Sequence, residues 1–347
     1  MDLFELLLRN ISVMLDKDYS PVIIILTLLA LAFTKHRRVL ILSFLVVMLL
    51  TLTLKTFYQE DRPCKAFPAL VDCNDFGFPS GHTITSVLLP AATLGSFAFF
   101  LFLPLSFLIA FSRVYLGVHS VNQIVAGLSL GMFVYFALER LHERLKTKKI
   151  REKGAFARFE EGRQLIHILA GLMVIGMLYW FGLDDDGLAQ TELILLGLLI
   201  TGLMLINMKI LGMWIGPFDS VLKKFGRRRD LFGGRGPLMY LVGILLILSY
   251  AKQFDYMLAA IAIFAVGDGV SSLVGMRYGV HKLEWNPVKS WEGSLAFFIS
   301  GAIVAFPFIG IIGLFYSAVL AVIETLDFHI DDNLLVPFVA VLLITFM

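Results

Sequence analysis

The stretch RLHERLKTKKIREK, Arg140 to Lys153, carries seven Lys or Arg against two Glu. On both sides of it the chain is dominated by apolar runs. One group lies near 21–34, 39–55, 83–103, 104–118 and 121–138. The other lies near 164–182, 190–211, 236–251, 256–274, 293–312, 313–326 and 334–347. A straight bilayer crossing needs roughly 20 apolar residues, and most runs reach or approach that length. The chain is 58% hydrophobic and only 16% charged, with mean hydropathy +0.84. A water-soluble protein of 347 residues needs far more charged surface. Backbone polar groups cannot go unpaired in lipid, so the runs are expected to be helices. The reading is therefore an all-α polytopic membrane protein with about 12 membrane-embedded helices. Residues 1–139 form one helical-bundle domain, 140–157 a basic cytoplasmic linker, and 158–347 a second bundle. A net charge of +2 gives no case for nucleic acid as a partner.

The linker also orients the chain. Positively charged loops stay in the cytoplasm, so Arg140–Lys153 is cytoplasmic, and alternation puts the KHRR turn at 35–38 on the same side. The loop from Thr56 to His82, with a mildly acidic balance, then falls outside. In the second half KKFGRRR (223–229) and the 275–292 loop come out cytoplasmic and LDDDG (183–187) external. The two cysteines, Cys64 and Cys73, both lie in the 56–82 loop. A loop-closing disulfide is expected there, the alternative being two free thiols. The first residues, MDLFELLLRN, lack the basic leader of a cleavable signal.

Three polar pieces interrupt the first half: KTFYQEDRP (Lys55–Pro63), PSGHT (Pro79–Thr83) and SRVYLGVHSVNQ (Ser112–Gln123). Alternation brings all three to one membrane face, gathering Lys55, Arg62, His82, Arg113 and His119. Ionisable groups at membrane depth are functional candidates. Two imidazoles among three cations suit phosphoryl transfer, with one attacking phosphorus and the other protonating the leaving oxygen. Over residues 30–138 the pieces resemble the type 2 phosphatidic acid phosphatase family, with its Lys-x6-Arg-Pro, Pro-Ser-Gly-His and Ser-Arg-x5-His-x3-Asp motifs. The resemblance implies a lipid phosphatase that needs no metal or other cofactor. In it His119 is the nucleophile and His82 the general acid, while Lys55, Arg62, Arg113, Ser80 and the Gly81 amide hold the phosphate. The departure is Gln123, where the family usually has Asp. A glutamine carbonyl accepts the histidine's hydrogen bond but supplies no charge. Glucose-6-phosphatases, in the same superfamily, are similar in carrying Gln.

The richest stretch of the second half is GDGVSSLVGMRYGVHKLEWNPVKSWEGSLAFF, Gly267–Phe298. Asp268 and Glu292 flank a glycine-rich loop bearing Arg277, His281, Lys282, Asn286, Lys289 and Ser290. Cations there can engage a polyphosphate, and carboxylates can hold a divalent ion beside it. Arg163 and His167 share one helix face by their i, i+4 spacing, with Glu160 one turn before. Asp331, Asp332 and Asn333 form an acidic cluster at the start of the last apolar run. Over residues 158–347 these pieces resemble the CTP-dependent polyprenol kinases, which include dolichol and phytol kinases and are related to phosphatidate cytidylyltransferases. The matching residues are Glu160-x2-Arg163-x3-His167, Gly236-Pro237-Leu238, Gly267-Asp268, the run from Asn286 to Gly293, and Glu324 with Asp331-Asp332-Asn333. Gln164 departs from the usual Lys. The resemblance implies transfer of a γ-phosphoryl to a lipid alcohol with CTP and Mg2+. Asp268, Asp331 and Asp332 are expected near the metal. Arg163, His167, Lys282, Asn286, Lys289, Ser290 and Glu292 are expected at the nucleotide, and Asp268 is also a catalytic candidate.

Together the halves predict a bifunctional enzyme recycling a carrier lipid, in the plasma membrane. A polyprenyl phosphate or diphosphate loses phosphate outside, and the polyprenol is rephosphorylated inside at the expense of a nucleotide. The alternatives are a kinase or cytidylyltransferase on a phosphatase-like lipid-binding scaffold, or a lipid transporter or scramblase.

Overall fold

The computed structural model describes residues 3–17, 19–65, 71, 73, 75–146, 157–219 and 235–345. Among them the only extended pairing is an isolated bridge between Lys282 and Ser290, and the regular structure is otherwise helical. Six helices are long and apolar enough to cross a bilayer, and five apolar helices of 10–17 residues accompany them. Their outward faces carry large aliphatic side chains, among them Ile25, Leu28, Leu45, Leu49 and Leu52, all more than half exposed. So much apolar surface is stable only against lipid. The chain is an all-helical polytopic membrane protein. The basic segments 147–153 and 223–229 lie outside the described residues.

The chain divides into two compact units: residues 1–142 with 200–214, and residues 143–199 with 215–347. In the first, α1 (Leu3–Lys17), α2 (Tyr19–Phe33) and α3 (Arg37–Tyr58) precede a short 3-10 turn at Pro63–Lys65. Two short helices follow, α4 (Gly81–Ser86) and α5 (Leu88–Thr93), then α6 (Phe99–Tyr115) and α7 (Val121–Lys146). The lipid-facing α3 is largely exposed and α7 is buried along most of its length, so α7 is the post around which the unit is built. Close approach to it depends on Gly127 and Gly131, one turn apart. A methyl at Gly127 would lie 2.2 Å from Thr83 Oγ1 and 2.8 Å from the Ser80 carbonyl, and one at Gly131 2.6 Å from the Ile84 carbonyl. Small residues at i, i+4 are the usual way for membrane helices to meet at backbone distance.

The break between the expected spans 83–103 and 104–118 lies elsewhere. Pro104 sits inside α6, and the chain turns at 94–98 instead, where Gly95 takes φ +86°, open to glycine without strain. The freed backbone groups find a side chain. Gly95 N donates to Asn207 Oδ1 (2.7 Å) and Asn207 Nδ2 donates to the Ser96 carbonyl (3.4 Å). Asn207 is fully buried on α9 (Asp185–Ile210), whose last turns belong to the first unit.

The second unit contains α8 (Ala157–Phe181), most of α9, α10 (Arg235–Tyr250) and α11 (Phe254–Ala262). A π-helical turn (Ile263–Gly267) runs on into α12 (Asp268–Tyr278), and α13 (Trp291–Ile309), α14 (Ile312–Thr325) and α15 (Asp332–Thr345) complete the unit. The nearly wholly buried α10 and α11 form its centre. The π turn ends at Asp268. Single π turns inside α-helices cluster at functional sites because they turn one side chain out of register.

Candidate active sites

In the first unit the three polar pieces converge. Ser80 N donates to the Gln123 carbonyl (3.0 Å), joining the Pro79–Thr83 segment to the start of α7. His119 and Gln123 are 2% and 1% exposed, and His119 Nδ1 lies 2.9 Å from Gln123 Oε1. Lys55, Arg62 and Arg113 lie close enough for their charges to act on the His82 ring. Among the described residues of these three pieces, four buried polar atoms lack a hydrogen-bond partner: His119 Nε2, His82 Nε2, Ser80 Oγ and Arg62 Nε. Buried polar atoms are rarely left so, because each costs about 1–3 kcal/mol unpaired. A tetrahedral oxyanion offers the acceptors for three of them, and electrophilic phosphorus suits the unprotonated ring nitrogen of His119.

The partners of the expected phosphate-binding cations were silent in sequence. Lys55 Nζ and Arg62 Nη2 both pair with Asp75, through its two carboxylate oxygens, the Arg62 contact at 2.5 Å. Burial alone raises the Asp75 carboxyl, but the Lys55 hydrogen bond and the Arg62 charge outweigh it and hold the group below the ordinary carboxylate range. Asp75 thus occupies two cations that a phosphate needs. It follows the Cys64–Cys73 disulfide (Cα–Cα 6.4 Å) by two residues. Arg113, fully buried, donates from Nη1 to Asp16 Oδ1 (2.5 Å), from Nη2 to the Ser12 carbonyl (3.3 Å) and from Nε to Ser112 Oγ (3.2 Å). The N-terminal helix therefore anchors one member of the expected clamp. Tyr19 donates to the His82 carbonyl (2.8 Å), and its ring lies 4.0 Å from the His82 ring. Gly81 opens α4.

In the second unit a different set converges. Lys289 Nζ pairs with Glu324 and, at 2.9 Å, with Asp332 Oδ2, and the Asp268 charge also reaches it. Glu324 is buried, accepts from Ser271 Oγ (3.1 Å) and keeps an unpartnered Oε2. Asp268 faces His167 Nε2 at 3.6 Å. Glu324, with a vacant buried oxygen, and Asp332 are hard oxygens of the kind a divalent cation prefers, and Asp268 lies farther off. Among the described residues these three do not all come within ligand distance of one another. Glu324 rather than Asp331 is the acidic partner here. Asp331 Oδ1 accepts from Asn333 N (3.1 Å) and caps α15. Among the described residues Asp268, Asp331 and Asp332 do not form a three-ligand cluster.

The expected nucleotide residues divide between loop architecture and open surface. Asn286 Nδ2 donates to the Thr325 carbonyl (3.0 Å), and Ser290 Oγ accepts from Gly293 N as the cap of α13. Glu292 accepts from His281 N (3.1 Å) and contacts His281 Nδ1 at 2.6 Å, closing the loop on itself. Lys282, by contrast, lines an open cleft of about 680 Å3 with His281, Glu284, Trp285 and Trp291. Arg163 Nη1 lies beside Gly236, 3.5 Å from where a methyl there would sit. The Glu160 side chain lies outside the described residues.

With this geometry, the chain is a polytopic helical membrane protein carrying a phosphatase-like half and a prenol-kinase-like half. Residues 38–146 match the PAP2 superfamily model, and the C-terminal region is homologous to phytol and farnesol kinases. The chain is 29% identical over 207 residues to phytol kinase 1, chloroplastic, of Arabidopsis thaliana, covering 52% of this chain and 64% of that one. It is 33% identical over 143 residues to farnesol kinase, chloroplastic, of the same plant (40% and 44%). An uncharacterized protein of Methanocaldococcus jannaschii is 34% identical over 119 residues (34% and 61%). The chain thus spans less than two thirds of the length of each of these three relatives. No solved structure matches the chain.

Proposed function

We propose that the protein is a bifunctional isoprenoid-lipid enzyme: a polyprenyl phosphate or diphosphate phosphatase joined to a CTP-dependent kinase for the corresponding alcohol. The observation that carries the phosphatase half is the set of unpartnered atoms on His119, His82, Ser80 and Arg62. His119 Nε2 attacks phosphorus, His82 protonates the departing alcohol or phosphate oxygen, and Arg62 and Ser80 hold the equatorial oxygens. Lys55 and Arg62 become available as substrate phosphate displaces Asp75. Water then releases orthophosphate from the phosphohistidine.

For the kinase half, the homology to phytol and farnesol kinases supports an isoprenoid alcohol as acceptor. Asp268, Glu324 and Asp332 would hold Mg2+, which supplies charge neutralisation for a transferring phosphoryl. Lys289 bridges two of those carboxylates and is the cation best placed to reach a nucleotide phosphate. Lys282 reaches the nucleotide from the open cleft. The basic segments around 35–38 and 140–153 support a cytoplasmic kinase site and an extracytoplasmic phosphatase site, with the plasma membrane as location. Opposed reactions on opposite faces recycle a carrier lipid, because the neutral alcohol crosses a bilayer more cheaply than its phosphate.

The test uses sealed vesicles of known orientation. Prenyl diphosphate supplied on the face of the Thr56–His82 loop should release phosphate, and γ-labelled CTP on the opposite face should label prenol. Labelling of both sites by reagents confined to one face would overturn the recycling arrangement.

A further inference from the structure

Gln123 stands where related phosphatases carry a carboxylate, yet a carboxylate is present one residue farther out. Gln123 Nε2 donates to Glu60 Oε1 (2.9 Å) and to the Asp61 backbone carbonyl (3.0 Å). Both partners are acceptors, so that end of the amide is its NH2 and the other end, Oε1, faces His119 Nδ1 at 2.9 Å. An amide oxygen only accepts, which makes His119 Nδ1 the N–H donor and leaves Nε2 with its lone pair. That Nε2 is the buried, unpartnered atom in the phosphate pocket. The wiring is held on every side. Gly77 N donates to the Glu60 carbonyl (2.8 Å), and Gly77 itself floors the amide. A methyl there would lie 2.5–2.8 Å from Gln123 Oε1, Nε2 and Cδ.

We infer that Glu60 is a positioning residue for the His119 nucleophile, acting through Gln123 as a relay of Glu60, Gln123 and His119. Its carboxylate sets the amide's direction, and the amide sets the histidine tautomer. It also places a negative charge within one side chain of the imidazole, amid the positive charges of Arg62, Lys55 and Arg113 that reach that ring. The departure at position 123 is thereby compensated at position 60, in the segment between Lys55 and Arg62. This inference rests on the phosphatase reading above.

An exchange experiment on the full-length protein in detergent tests it, reading phosphate release from a prenyl diphosphate as kcat, KM and a pH profile. Glu60→Gln offers Gln123 donors as well as an acceptor, so the amide is free to turn and the nucleophilic tautomer is lost. The expected kcat falls on the order of 10–100-fold, as when the outer partner of a metal-ligating histidine is removed, with KM little changed. Gln123→Glu sets two carboxylates at hydrogen-bond distance, where they share a proton, and its activity should be confined to lower pH than wild type. The exchanged pair, Glu60→Gln with Gln123→Glu, restores one carboxylate and one amide between the two side chains, while the Asp61 carbonyl then faces a carboxylate oxygen in place of the amide N–H it accepts from. It should recover part of the loss, running faster than Glu60→Gln alone and over a wider pH range than Gln123→Glu alone. Thermal unfolding of each variant reports whether the fold is retained. A wild type that releases no phosphate overturns the phosphatase reading and the inference with it. An active wild type with Glu60→Gln at full rate overturns the inference alone.

Discussion

Replacing Lys289 with Met removes the cation from buried Glu324 and part-exposed Asp332 while keeping its volume. Glu324, 1% exposed at the side chain, loses the ammonium it pairs with, whereas Asp332, 41% exposed, can turn to water. Removing one partner of a buried ion pair costs about 3–5 kcal/mol, because the other charge stays desolvated. The half-exposed contact to Asp332 adds at most about 1 kcal/mol. At roughly 2–4 °C per kcal/mol for a unit of this size, Lys289→Met should lower the unfolding midpoint by about 6–24 °C in detergent, followed by tryptophan fluorescence. Glu324→Gln in the same chain removes the stranded charge while Ser271 keeps its acceptor on the amide oxygen. The double variant should therefore recover most of the loss, with a coupling of about 2–3 kcal/mol in the cycle. A Lys289→Met midpoint within 1 °C of wild type, or strictly additive losses, would falsify the buried pairing.

Other expectations follow from single contacts. Gly127→Ala drives a methyl against Thr83 Oγ1 and the Ser80 carbonyl, a clash of about 1–3 kcal/mol. It should cut phosphate release at least tenfold and spare label transfer to prenol. Gly176→Ala, with nothing within 4 Å of the added methyl, is its neutral control. Asp75→Asn frees Lys55 and Arg62 from a partly exposed ion pair worth about 0.5–1 kcal/mol, so inhibition by orthophosphate should tighten roughly two- to fivefold; unchanged inhibition would show that Asp75 does not compete. Because the Asp75 carboxyl lies below its ordinary value, its ion pairs stabilise the fold above the unfolded carboxylate range. That contribution is lost as pH falls through the depressed value, and Asp75→Asn should flatten the acid limb of the stability profile.

The helices and the motif histidines were legible because they depend on local pattern: apolar run length, and ionisable residues where lipid forbids them. The expected break between 83–103 and 104–118 falls inside a helix, because the actual turn depends on Gly95 and on Asn207, more than a hundred residues away. Distance along the chain explains the other omissions. Asp16 on Arg113, Tyr19 over His82, and Glu324 beneath Lys289 are pairings across 97, 63 and 35 residues, which no spacing rule reveals. Glu60 lay in plain view inside the Lys55–Pro63 segment. Its role becomes readable only when the acceptor-only surroundings of the Gln123 amide are known. Asn286, Ser290 and Glu292 also hold the loop that carries Lys282 and Lys289, a part that residue type alone does not reveal.

Two separate sites on one chain is the central claim, and a crossed pair of variants tests it most directly. One purified preparation is given prenyl diphosphate and, separately, γ-labelled CTP with prenol, and mass spectrometry identifies the lipid products. His119→Ala should abolish phosphate release and leave label transfer intact, while Asp268→Asn should do the reverse. If either variant loses both reactions while folded, or if the lipid product carries a cytidylyl group instead of the γ-phosphate, the account of a phosphatase joined to a kinase is wrong.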